Sequence, residues 1–215
     1  MTLANLSLAR NHGLMAELHI RSASILDLAD LYLVAIRTGN SGEDATGMFR
    51  NDDMIGEVYV GPYVTLAPET SFSLVENETP VGYGLCVLDT ETFYVAAKDS
   101  WWPMLQEKYA DFAQYVKSEW LIHEIFNPSS SPVEILNDYP SHGHIDLLPH
   151  VQGFGWGRRM METMENSLRN LGSVGFHLRV SKFNERGLKF YEALGYRELM
   201  HRDSEIIVGK KLKNR

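Results

Sequence analysis

The stretch HIDLLPHVQGFGWGRR, residues 144–159, constrains this chain more than any other. An apolar run that reads as a strand ends at Pro149. Gly153, Gly155 and Gly157 follow, alternating with Phe154 and Trp156. Met160, Met164, Leu168 and Leu171 then mark one face of a helix closed by Gly172, and GFHLRVS (175–181) alternates as a second strand. A strand, a helix and a strand in that order predict a crossover joining a parallel pair. The glycines have a physical reason. The first N–H groups of a helix lack intrahelical partners and lie at the positive end of its dipole. Glycine permits the dihedrals and close approach that let such amides converge on an anion. Phe154 and Trp156 can then turn away and anchor the loop. Neither common nucleotide motif fits. Arg158 and Arg159 stand where a Walker loop needs Lys-Ser/Thr, and Gly-x-Gly-x-Gly is not the dinucleotide fingerprint.

Upstream, residues 19–21 read as a short strand. Ser24 and Asp27 form a capping-box start to a helix carrying Leu28, Leu31, Tyr32 and Ala35 and ending at Gly39. Residues 37–46, RTGNSGEDAT, form a polar loop. TSFSLVE (70–76) and VGYGLCVLDT (81–90) read as a hairpin turning at ENETP. Residues 98–141 interrupt the strands with an aromatic-rich helical segment and a Pro/Ser connection, a lid or an acceptor-recognition element. Downstream, Asn184 caps a helix bearing Gly187, Phe190, Tyr191 and Leu194 on one side and ending at Gly195. YRELMHR and SEIIVGKKL supply two last strands. The expected class is mixed α/β, a central twisted sheet with flanking helices. Residues 1–17 read as a loose extension, with Met15 an alternative start, and 18–215 as a single domain.

Charge is unevenly spread. Residues 1–150 hold 7 Lys/Arg against 21 Asp/Glu, and residues 151–215 hold 13 against 7, within a net charge of −8. The acidic total argues against nucleic acid, and the basic C-terminal part suits a phosphate-bearing ligand. Cys86 is the single cysteine, so no intrachain disulfide forms. A reducing, cytoplasmic setting is expected, with no metal site and no membrane span.

Gln152-x-x-Gly155-x-Gly157 after a strand resembles the acetyl-CoA signature of the GNAT acyltransferases. Asn184, Tyr191 and Gly195-Tyr196 in NERGLKFYEALGY resemble that family's second motif, with Gly187 where Ala is usual. RTGNSGEDAT and HIDLLP further resemble the acetyltransferase-like domain of O-GlcNAcases and its free-standing bacterial relatives. The resemblance implies a GNAT fold with a helical insertion before the cofactor-binding strand. It also implies acetyl-CoA as cosubstrate and transfer to a small-molecule or peptide amine. The pantetheine arm would lie against the backbone at Leu147 and Leu148. Gln152, Gly153, Phe154, Gly155, Trp156, Gly157 and Arg158 would hold the pyrophosphate. Asn184 would bond an amide of the arm, and Arg158, Lys182, Arg186 or Lys189 the 3′-phosphate. Tyr191 would contact the cofactor and protonate the leaving thiolate. Asp146, His144 or His142, on one strand face, could act as general base, with Glu124 and Asp89 as outside candidates. A covalent step through Cys86 is not expected. A non-catalytic acyl-CoA-binding module is the alternative, and a homodimer is left open.

Overall fold

The computed structural model describes residues 17–117 and 119–212. Seven strands, β1 (Leu18–Ser22), β2 (Ser71–Glu76), β3 (Thr79–Val87), β4 (Ser141–Leu147), β5 (Gly175–Ser181), β6 (Arg197–His201) and β7 (Glu205–Lys211), form one sheet in the order β1-β2-β3-β4-β5-β7-β6. Only β4 and β5 are parallel, and they pair over just Ser141↔Phe176 and His142↔His177 before separating. The helices are α1 (Leu28–Thr38), α2 (Met54–Tyr59), α3 (Gly61–Leu66), α4 (Thr90–Ala96), α5 (Trp102–Lys108), α6 (Trp120–Phe126), α7 (Val133–Leu136), α8 (Trp156–Asn170) and α9 (Glu185–Ala193).

Two apolar cores cover the two faces of the sheet. One gathers Leu31, Val34 and Ala35 of α1, Met54 and Val58 of α2, Leu105 of α5 and Leu121, Ile122 and Ile125 of α6 against Tyr83, Leu85 and Val87 of β3. The other gathers Met160, Met164 and Leu168 of α8 with Tyr191 against Phe176, Leu178 and Val180 of β5. Helix α8 lies close to the sheet because β3 offers no side chain at Gly84, where a Cβ would fall 2.5 Å from Met160 Cγ. Locally the chain follows its sequence. The Ser24/Asp27 capping box forms, heading a 3-10 turn that leads into α1, and Arg21 Nη1 binds Asp27 Oδ2 at 2.7 Å. The β2–β3 hairpin turns at Asn77 and Glu78, both left-handed (φ 47° and 71°), as the twist of paired strands requires.

Several expectations change. The strand expected to reach residue 90 ends at Val87, and the helical segment begins at Thr90 rather than 98. The reason is Asp89, whose carboxylate accepts from Thr92 N at 2.8 Å and caps α4. Helices α2 and α3 fill a stretch that carried no expectation. Leu171 leaves the buried face of α8 and is 47% exposed. Gly39 ends α1 with a right-handed φ of −72°. Residues 1–16, including Met15, lie outside the described residues.

Candidate active site

Where β4 and β5 part, a cleft of about 730 Å³ opens, lined from both strands and from α1, α2, α3, α6 and α9. The glycine loop lies at the end of β4. Gly153 and Gly155 both hold φ of +84°, and Gly155 is the left-handed N-cap of α8. A short 3-10 turn, Pro149–Val151, brings the chain there. Gln152 pins it: its Nε2 donates to Leu147 O at 2.6 Å and its Oε1 accepts from Arg186 Nη2, while its main-chain N–H donates to Pro149 O at 3.2 Å. Main-chain N–H groups of the loop that could meet an anion therefore start after Gln152, whose amide and side chain are both occupied. Trp156, Gly157 and Arg158 open α8, whose first N–H groups have no intrahelical acceptor.

The two loop aromatics behave differently. Trp156 is half-buried against the α8 core, with the Arg159 guanidinium 4.6 Å above its ring. Phe154 is 74% exposed and anchors nothing. Flanked by left-handed Gly153 and Gly155, its position projects outward, so the expected anchoring falls to Trp156 alone.

At the end of β4, Leu148 N–H donates to Val81 O at 2.9 Å, so it faces away from the gap. Main-chain groups alternate along a strand, and Leu147, whose carbonyl takes Gln152, points into the gap. Asn184 caps α9 by accepting from Gly187 N at 2.8 Å, and it lines the cleft. Of the basic candidates for a 3′-phosphate, Arg186 holds Gln152, Lys182 donates to Asp203 O, Lys189 lies 3.9 Å from Glu185, and Arg158 is exposed.

The β4 side chains His142, His144 and Asp146 share one face, as alternation predicts, and all line the cleft. Asp146 stands opposite Tyr83 in the β3–β4 register and accepts from its hydroxyl at 2.6 Å. Burial raises the Asp146 carboxyl to about 7, with the Tyr83 bond offsetting part of the rise. Tyr191 of α9 lines the same cleft. Burial, followed by the nearby Asp146 charge, keeps its phenol protonated well above its ordinary range. His144 is drawn down to about 3, first by burial and then by Arg179. His142 is buried, held at Nε2 by Tyr63 (2.7 Å) and at Nδ1 by Thr90 (2.9 Å), and this removes it as a base. Glu124 accepts from Ser129 N and Oγ at 2.9 and 2.7 Å. Cys86 is buried with Sγ 3.2 Å from Thr70 O, and burial pushes its thiol up, so it is no nucleophile.

Sequence reasoning missed Tyr63, Tyr83, Thr90 and Arg179. Arg179 lines the cleft, with Nε on Glu205 at 2.9 Å and Nη1 on Ser129 Oγ at 2.8 Å. Strand parity places Arg179 on the same face as His177, but its partners come from distant segments. Among the described residues no group of three or more His, Cys, Asp or Glu could hold a metal ion, and no helix is long and apolar enough to cross a membrane.

The model of the acetyltransferase (GNAT) family matches residues 43–196. The curated proteins include Protein O-GlcNAcase of Rattus norvegicus and of Mus musculus, each 29% identical over 153 residues. Those matches cover 68% of this chain but only 16% of each relative. Among solved structures, SsHAT superposes with a TM-score of 0.83 at 26% identity, covering 92% of this chain and 99% of that one. The PaiA N-acetyltransferase of Thermoplasma acidophilum, solved in complex with coenzyme A, gives 0.57 at 15% identity over 91% of this chain and 99% of its own. At that identity it shows the fold alone.

Proposed function

Because the chain belongs to the GNAT acetyltransferase family, whose fold supports acyl transfer from acyl-CoA, we propose that it is an N-acetyltransferase that uses acetyl-CoA and a primary amine acceptor. The observation that carries this is the meeting, in one cleft, of a protonated phenol and a carboxyl poised near neutrality, with a glycine-headed helix N-terminus following the strand that carries the carboxyl.

The residues fit the cosubstrate. The cradle at 153–158 leaves main-chain N–H groups for the pyrophosphate, and left-handed Gly153 and Gly155 have nothing within 4 Å of a would-be Cβ. The gap between β4 and β5 accepts an extended arm against Leu147. Bound acetyl-CoA supplies an acyl group activated as a thioester. The protein's part is proton management. Asp146, ionised for part of its population near pH 7, takes the proton that the acceptor ammonium must lose. Tyr191, protonated throughout, donates to the departing sulfur. His144 is the weaker base, since a group held near 3 binds a proton poorly at neutral pH.

The test is calorimetry with acetyl-CoA, followed by release of free CoA across a panel of amines. Binding with amine-dependent release is expected. Binding without release for any amine points to the non-catalytic acyl-CoA module, and no heat of association removes both readings. The cleft walls carry Tyr59, Tyr94, Trp120 and Glu124, which suits an acceptor with an apolar or cationic body, small molecule or peptide.

A further inference from the structure

We infer that Thr90, His142 and Tyr63 form a one-way hydrogen-bond relay that fixes the tautomer of His144, so that His144 presents the Nδ1 lone pair to the acceptor amine as an orienting group rather than as its base. This extends the acetyltransferase reading to residues outside the coenzyme site.

The direction of the relay follows from counting protons. The Thr90 hydroxyl donates to Pro140 O at 2.6 Å, so its single proton is committed. Thr90 Oγ1 lies 2.9 Å from His142 Nδ1 and must therefore accept, which places the His142 proton on Nδ1. His142 is neutral, because burial, then His177, His144 and Arg179, hold it well below its ordinary range. Its Nε2 is thus a lone pair, and the Tyr63 hydroxyl at 2.7 Å donates to it. Tyr63 is buried with its phenol raised well above the usual range, so it keeps one proton, now spent. His144 Nε2, 2.9 Å from the same oxygen, must be the donor. His144 then carries its proton on Nε2, and Nδ1 is left as an acceptor. Among the described residues Nδ1 has no hydrogen-bond partner and is not one of the sealed unsatisfied atoms; His144 lines the cleft.

The same count separates orientation from conduction. The chain ends on Pro140 O, a backbone carbonyl that also accepts from Thr90 N at 2.8 Å. A carbonyl cannot pass a proton onward, so the wire is a dead end. What it supplies is a fixed ring. His144 is also braced by the rings of Tyr59 at 5.4 Å and Tyr63 at 5.1 Å, both edge-on. Facing it are His142 and Asp146 from its own strand, His177 and Arg179 from β5, and Tyr59, Tyr63 and Tyr94 from α2, α3 and α4. Burial, and after it Arg179, keep a proton off the ring. A neutral acceptor beside Asp146 divides the labour: one group aims the amine, the other takes its proton.

The test is nitrogen-15 NMR of the histidine rings in the coenzyme-free protein, which needs no turnover. His144 is expected protonated on Nε2 and His142 on Nδ1. His177 is the internal reference, with Nδ1 2.8 Å from Tyr139 O and Nε2 2.7 Å from Ser131 Oγ. Tyr63→Phe is expected to leave His177 unchanged and return His144 to a mixture of tautomers. Thr90→Ser keeps the wild-type pattern, and Thr90→Val loses it. Methylamine, the smallest probe carrying the reacting group, should move the Nδ1 resonance of His144. In any amine-dependent CoA release found with the panel above, Tyr63→Phe should lower kcat/KM for the amine about tenfold, the worth of one oriented hydrogen bond, with acetyl-CoA affinity unchanged. A wild-type His144 protonated on Nδ1 overturns the relay, even if Tyr63→Phe does not fold. An Nδ1 resonance indifferent to methylamine overturns the amine contact. Failure of acetyl transfer alone overturns the enzyme reading and leaves the tautomer result to stand on its own.

Discussion

Asp146→Asn should make the protein more stable and less active, and the stability gain should depend on pH. The carboxyl is ordinarily at 3.8 and sits at about 7 in the fold. At about 1.4 kcal/mol per pKa unit, ionising it in the folded state costs about 4 kcal/mol more than in the unfolded chain. Asp146 is half-buried and water reaches it along the cleft, so we discount this to about 2–4 kcal/mol. The folded-state value is raised, so the folded state favours the neutral acid. The penalty is absent below about pH 4, grows as pH rises through the window between 3.8 and about 7, and is complete above it. Asparagine removes the ionisation while keeping an acceptor for the Tyr83 hydroxyl. Urea unfolding of both proteins should show Asn ahead by about 2–4 kcal/mol at pH 8 and the two nearly level at pH 4. A variant no more stable than wild type at pH 8, or a gap that does not change with pH, refutes the reasoning. In wild type, kcat/KM should fall as the pH drops below about 7 and the base becomes protonated.

Tyr191→Phe keeps the buried ring and deletes the acid; kcat should fall by about 10²–10⁴ while calorimetry shows unchanged acetyl-CoA affinity. Gly155→Ala meets no neighbour within 4 Å, so its cost is purely that of a φ of +84°, about 1–2 kcal/mol, read as a lower Tm together with weaker acetyl-CoA binding. Ser24→Ala removes the capping box ahead of α1 and should cost about 1 kcal/mol in urea unfolding, with acetyl-CoA affinity unaffected.

The parts legible in the sequence were those written in local rules. Strand, glycine loop and α8 could be read from 144–172 because periodicity, caps and breakers agree there, and the N-terminal capping box needed only Ser24 and Asp27. Helices α2 and α3 could not. Each is 6 residues long, and Gly56, Gly61 and Pro62 interrupt any periodic signal. They are helical because Met54, Val58 and Tyr63 have a core to enter. The site divides the same way. Parity grouped His142, His144 and Asp146 on one face, but what distinguishes them lies far along the chain. Tyr63 is 79 residues from His142, and Tyr83 is 63 from Asp146. Sequence patterns say which side chains share a face, and only the fold shows which hydroxyl reaches each of them. Phe154 and Gln152 show the reverse failure, where a family-like motif hid that one side chain points outward and the other is used up holding the loop.

The early parting of β4 from β5 has a consequence for the lifetime of the protein. A sheet split near its middle lacks part of one ladder, the β4–β5 pairing beyond His142 and His177, and a thioester arm lying there would replace it. A ligand at a hundred times its dissociation constant adds about 2.7 kcal/mol to folding. The abundance of such a chain under proteolysis would then rise and fall with the supply of its own cosubstrate.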